Sequence, residues 1–235
     1  MIITEVYDIE TLSNLFTYTG YSIQENKIYQ FVIHKSRNEA QELYDHLTRT
    51  KKMYQVGFNN EAFDYPVLHY FLLNFRKKYK QVDGETIATN LYKEAQRVIN
   101  DDFSIIWDNK RLIHQTDLFK IWHYNNKARI TSLKDLQFAM QMKDIEEMPL
   151  DHTHWCTSKD IDMILNYNKN DVEATYLFLL TTLGKTEHGP YKGRDKMALR
   201  NSIDKTFKIR SHNLADVPLG EELMLTLYSR ATQTN

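Results

Sequence analysis

The chain has 235 residues, 42% of them hydrophobic, which is enough for one sizeable α/β domain or two cramped ones, and one domain is the expectation. With 30 Lys+Arg against 31 Asp+Glu, its net charge of -1 excludes a protein that grips nucleic acid through a bulk positive field, so any such contact must be local. Seven Gly and four Pro exclude collagen-like and linker designs, and the single Cys156 excludes an intramolecular disulfide, which fits a reducing cytoplasm.

Residues 2–9 read as a buried strand, 15–23 as a second rich in Tyr and Thr, and 27–34 as a third with alternating apolar positions, together a β-meander. The N-terminus has no basic leader, and no run reaches the roughly 18 apolar residues of a membrane span. Ser36 is placed to cap a helix over 38–47, and 53–58 reads as a fourth strand lying beside the first after a crossover. A helix over 61–75, carrying Pro66 early, runs into a basic stretch and a turn at Asp83-Gly84, before a further helix over 86–99. Residues 111–118 form the expected fifth strand and 132–142 a helix. Thr157 and Asp160 have capping-box spacing and open a long apolar helix that Gly184 closes. Residues 185–210 carry eight basic against three acidic residues, a stretch able to track a DNA backbone, and a last helix is expected over 219–230. The pattern predicts an α/β fold: a central mixed sheet of about five strands with helices on both faces.

Three acidic elements stand out. Asp8 and Glu10 end the first strand, where the period of two puts both carboxylates on one face. Adjacent carboxylates raise each other's proton affinity unless a cation neutralises them, and hard oxygen ligands suit Mg²⁺ or Mn²⁺. Asp-x-Glu recurs at Asp83, Asp144 and Asp171, but only the Asp8 copy ends an apolar strand. The second element, Asn60-Glu61-Ala62-Phe63-Asp64, sits at a strand-to-helix turn; Asn60 as N-cap and Phe63 in the core explain it structurally, while Asp64 would emerge beside Asp8 and Glu10 if the fourth strand neighbours the first. In the third, Tyr167 and Asp171 are four apart on the long helix, whose buried side is marked by Leu165, Val172 and Leu179, so Asp171 is half-buried and needs a partner or a metal.

Taken together, Tyr7-Asp8-Ile9-Glu10-Thr11, Asn60-x-x-Phe63-Asp64 and Tyr167-x-x-x-Asp171 resemble the three exonuclease motifs of the DEDD superfamily. Tyr167, with Asn166 where the other subgroup carries His, resembles the tyrosine-bearing DEDDy subgroup, and most of all the proofreading exonuclease domains of phage-type DNA polymerases. The resemblance covers residues 1–184 and implies a ribonuclease H-like fold; 185–235 would be a helical extension, packed on that domain or leading to a further one. It implies two ions, Mg²⁺ or Mn²⁺: Asp8, Glu10 and Asp171 hold one, and Asp8 bridges to a second near Asp64. Tyr167 would orient the attacking water.

The same resemblance implies that Asn60 and Phe63 touch the 3′-terminal nucleotide, and that Thr11 and Leu12 contact or wedge it; core packing for Phe63 and a plain strand-end loop for Thr11 and Leu12 are the structural alternatives. Some phage enzymes add a catalytic lysine between the second and third motifs; Lys143 is the best-placed residue and Lys134 the next, each against the alternative of a surface lysine. Asp117, at the end of the fifth strand, reads as structural. His114, His123, His152 and His154 lack zinc spacing and read as solvated or capping residues.

The function expected from this resemblance is a 3′-to-5′ exonuclease releasing nucleoside 5′-monophosphates from single-stranded or frayed DNA 3′ ends, for proofreading or DNA processing in a bacterial or phage-infected cytoplasm. No polymerase palm motif is visible, so a stand-alone nuclease and an excised proofreading domain are both open, with a DNA polymerase or replisome component as the expected partner. The alternatives are an RNA exonuclease of the same superfamily and a catalytically silent module binding nucleic acid or the replisome.

Overall fold

A computed structural model describes residues 3–101, 104–123, 132–143 and 145–182. The expected extension at 185–235, its basic stretch, its last helix and the Gly184 stop lie outside them. Among the described residues no helix is long and apolar enough to cross a membrane.

The fold is mixed α/β, with one six-stranded sheet ordered β4-β3-β2-β1-β5-β6. Strands β1 (Ile3–Leu12), β2 (Leu15–Ser22) and β3 (Lys27–His34) form the antiparallel meander expected from their alternation. The sixth strand, absent from the sequence reading, is the two-residue β4 (Arg37–Asn38), which pairs with His34 and Ile33. That pairing occupies the start of the predicted first helix, so α1 begins at Ala40 and runs to Thr48. β5 (Met53–Gly57) then enters parallel to β1, in register Ile3 with Met53 through Val6 with Val56, and β6 (His114–Asp117) pairs parallel to β5.

Strand β1 is central, and its two faces differ. Tyr7 and Ile9 join Phe16, Tyr18 and Ile33 in a core covered by α1, α2 (Asp64–Asn74) and α3 (Gly84–Asn100), with Leu43, Leu68, Phe71 and Leu91 among the covering residues. Val6, on the alternate face, packs with Val56 of β5 and with Leu136, Val172 and Phe178 from α5 (Leu133–Ala139) and α6 (Ile161–Thr182). Helices therefore lie on both faces of the sheet. Glu5 is fully buried on the first face, where His46 of α1 lies 2.9 Å from its carboxylate and the Tyr18 hydroxyl donates to it, tying α1 to the sheet.

Helix ends follow local chemistry. Pro66 falls in the first turn of α2, where its missing N–H has no intrahelical partner to lose. Asp83 caps α3, accepting from the Thr86 N–H at 2.9 Å, which starts that helix two residues earlier than predicted. A six-residue helix α4 (Leu118–His123), which periodicity did not reveal, follows β6 directly.

Candidate active site

Asp8 and Glu10 follow Val6 on the face of β1 that α6 covers, and their carboxylate oxygens and that of Asp171 all lie within 4.8 Å of one another. Asp171 sits one residue before Val172, a core position with no exposed surface, so burying the apolar stripe of α6 carries the carboxylate down onto the end of β1.

Asp64 arrives by a different route. The parallel ladder between β1 and β5 ends at Val6 and Val56, leaving the β1 amides beyond it on that side without a strand partner, and the Asp64 carboxylate accepts from the Ile9 N–H at 3.3 Å. The turn that delivers it is tight. Gly57 has no room for a Cβ, which would stand 2.6 Å from Asn60 Cβ, and Asn59 adopts a left-handed φ of 59°, a conformation Asn tolerates better than most residues. Asp117, at the end of β6, braces this turn: its buried carboxylate accepts from the N–H groups of Asn59 at 2.8 Å, Glu61 at 3.2 Å and Phe119 at 3.0 Å. Asp117→Ala leaves these donors without their acceptor and is expected to destabilise the protein by about 2–4 kcal/mol in denaturant unfolding; an unchanged midpoint would show that water replaces the carboxylate.

Burial and mutual repulsion set the charge state of the cluster. Asp8 is pushed well above the usual carboxylate range, first by burial and then by Asp64, Glu10 and Asp171; Glu10 likewise, by burial, Asp171 and Asp64. Burial raises Asp64 to about 7 against the accepted backbone hydrogen bonds, which oppose the shift. Asp171 is raised by burial and held back by Lys134. Carboxylates that prefer to be neutral in the folded state have a sign consequence: a folded pKa above the unfolded value contributes stability below about pH 4 that is lost as pH rises through about 7. Metal-free protein is therefore expected to melt lower at about pH 8 than at about pH 5.5, with a smaller difference in Asp64→Asn. Thermal melting in EDTA checks this, and a parent protein more stable at the higher pH would contradict it.

Two residues beside the cluster were legible only in part. Lys134 lies 2.6 Å from Asp171 and 4.6 Å from the centre of the Tyr167 ring, whereas Lys143, placed first on sequence, is exposed. The reason is local: Ser132 and Asp135 close a reciprocal capping box that starts α5, and the helical repeat then puts Lys134 and Gln137 on one side, where the Gln137 amide reaches Asp171 at 3.4 Å. Asn168, which the sequence reading passed over, is fully buried and donates to Asp8 at 2.5 Å. Its signal was available, since position 168 falls on the same apolar stripe as Leu165 and Val172, and an Asn there needs a partner.

The Tyr167 side chain is mostly buried, with its hydroxyl beside Asp171; burial and the surrounding carboxylates push the phenol far up, so it stays a neutral donor. The residues expected to touch a nucleotide divide. Asn60 has no exposed surface and its side-chain amide donates to Gln115 at 2.9 Å, while its Oδ1 has no partner among the described residues. Leu12 is a core residue packed with Leu15 and Val32, and Thr11 is buried. Phe63 is partly exposed and borders a surface pocket with Asn59, Ile99, Ser104, Ile105 and His152.

The donor set fits hard dications: all ligand atoms are carboxylate oxygens, they are crowded and desolvated, and of the three Lys134 hydrogen-bonds Asp171. No family model and no curated protein matches the chain. Among solved structures it is similar to the family B DNA polymerase from the hyperthermophilic archaeon Pyrobaculum calidifontis, at 14% identity and a TM-score of 0.46, over 85% of this chain and 27% of that one.

Proposed function

We propose that this chain is a divalent-metal-dependent 3′-to-5′ exonuclease of the DEDDy type, built on a ribonuclease H-like fold and acting on single-stranded or frayed DNA 3′ ends in proofreading or DNA processing. The observation that carries the proposal is the meeting of Asp8, Glu10 and Asp171 within 4.8 Å, drawn from elements far apart in the chain. Asp64 and Tyr167 supply the remaining members of the set.

In this reading Asp8, Glu10 and Asp171 would hold one Mg²⁺ or Mn²⁺, and Asp8 with Asp64 a second. Bound there, the ions supply the positive charge that a phosphodiester needs in order to accept a nucleophile and release its 3′-oxygen. The chain's own residues do the positioning. Asn168 fixes the Asp8 rotamer through its 2.5 Å hydrogen bond, and the Ile9 N–H fixes Asp64. Tyr167, a neutral phenol beside Asp171, orients a water against phosphorus without giving up its own proton. Lys134 holds Asp171 and brings a positive charge to the same spot. Water adds its oxygen to phosphorus, one P–O3′ bond breaks, and the departing 3′-oxygen takes a proton, yielding a nucleoside 5′-monophosphate. Phe63, bordering a surface pocket, would pack against the terminal base or sugar.

Incubating the chain with 5′-labelled DNA and RNA oligomers, with and without Mn²⁺, tests the reading. Single-stranded DNA is expected to give a metal-dependent descending ladder, faster than blunt duplex. Immediate release of labelled mononucleotide would reverse the polarity, preferential loss of RNA would transfer the activity to RNA ends, and no cleavage of either would leave a silent binding module.

A further inference from the structure

Away from the carboxylate cluster, the loop leading into α6 brings together three side chains of a different chemical kind. One ligand atom each from His154, Cys156 and Asp160 lies within 4.8 Å of the other two. In the sequence these histidines showed no zinc spacing because the ligands belong to a loop and not to a helix or a paired-cysteine knuckle.

The groups are held in place from outside the trio. Asn14, buried just past the end of β1, clamps Cys156 on both sides of its peptide: its carbonyl oxygen accepts from the Cys156 N–H at 2.7 Å and its amide donates to the Cys156 carbonyl at 2.9 Å. Ser13 donates to the Thr153 carbonyl at 2.9 Å, fixing the start of the same loop. The Asp160 carboxylate accepts from the Thr157 N–H at 2.7 Å and the Thr157 hydroxyl at 2.9 Å, which uses about half of its acceptor positions. Cys156 is 2% exposed and packs with Leu12, Leu15 and Ile161, and its sulfur has no hydrogen-bond partner among the described residues, although the residue's backbone is fully paired. The His154 side chain is 41% exposed, with its ring paired to the Asp160 carboxylate at 3.7 Å.

We propose that His154, Cys156 and Asp160 form a binding site for Zn²⁺ or a similar borderline transition-metal ion, separate from the carboxylate cluster and with water completing a tetrahedron. Sulfur, imidazole nitrogen and carboxylate oxygen on one small site suit such an ion and disfavour Mg²⁺, which takes oxygen ligands. Ligand bonds of about 2.0–2.3 Å need the three atoms closer than 4.8 Å, and rotation of the exposed His154 supplies the approach. Burial raises the free thiol to about 11, so binding exchanges the thiol proton for the metal and releases that proton to solvent. The bound ion ties the loop onto the β1–β2 turn through the Asn14 and Ser13 contacts, at the entrance to the helix that carries Tyr167 and Asp171.

Cobalt(II) titration of the full reduced, metal-free chain tests this. Expected are a near-ultraviolet thiolate-to-cobalt band that grows to saturation, and its bleaching by Zn²⁺. The carboxylate cluster contains no sulfur and adds nothing to that band. Cys156→Ser should abolish it. His154→Ala, at an exposed position, should melt like the parent in EDTA yet bind Co²⁺ at least about tenfold more weakly. A parent spectrum without the sulfur band, or a His154→Ala variant that binds as tightly as the parent, overturns the site; neither result bears on the exonuclease reading, which cleavage measures separately.

Discussion

Asp8→Asn is expected to lower phosphodiester cleavage by at least about three orders of magnitude while the metal-free protein melts at the parental temperature or above it. Asp8 is the residue through which the carboxylates of β1, α2 and α6 all meet, and its proton affinity is raised by burial and by Asp64, Glu10 and Asp171 together. Removing its charge relieves that repulsion in the absence of metal. It also removes the ligand proposed to serve both ions, whose charge contributes several kcal/mol to the transition state, each 1.4 kcal/mol being about tenfold in rate. The asparagine is preferable to alanine here because Asn168 donates to Asp8 at 2.5 Å. An Asn carbonyl can still accept that bond, whereas Asp8→Ala leaves a fully buried amide unpaired and is expected to be less stable by about 1–3 kcal/mol. Single-turnover cleavage and thermal melting in EDTA, run on both variants, separate loss of chemistry from loss of fold. Parental cleavage by Asp8→Asn would sink the proposed function.

Tyr167→Phe and Asp171→Asn are expected to fail in different ways, although the two residues are one helical turn apart. Tyr167→Phe keeps the ring under Lys134 and the packing of α6, and deletes only the hydroxyl beside Asp171. Turnover should fall by about one to three orders of magnitude, the range of a positioned catalytic group, with Mn²⁺ affinity nearly unchanged. Asp171→Asn deletes a proposed ligand and also leaves Lys134 without the carboxylate 2.6 Å away, so both Mn²⁺ binding and turnover should drop. Calorimetric titration of Mn²⁺ into each variant, beside the cleavage rates, distinguishes the roles. Equal loss of metal affinity in both would make Tyr167 part of the metal site's packing and not a water-positioning group.

Much of this architecture was readable from short-range pattern. The meander of β1 to β3 follows from alternation, and the parallel return of β5 beside β1 from a strand, a helix and a second apolar strand in order. The common face of Asp8 and Glu10 needed only the period of a strand, and that of Tyr167 and Asp171 only the period of a helix. What local pattern could not carry was competition between elements. Arg37 and Asn38 are as acceptable in a helix start as in a strand edge, and the free backbone of β3 decided for β4.

The sequence by itself singled out the acidic residues of the proposed site and the elements on which they lie, because strand and helix periods are properties of a few neighbouring residues. Only the tertiary structure decided who stands beside them. Lys134 and not Lys143 meets Asp171, since a capping box and the packing of α5 on α6 set the direction of that side chain. Asn168 meets Asp8 across 160 residues, and Asn60 and Leu12 turn into the interior, because a desolvated polar or apolar group goes wherever the fold offers a partner. His154, Cys156 and Asp160 converge through an asparagine at the far end of β1, an arrangement that no spacing along the loop encodes.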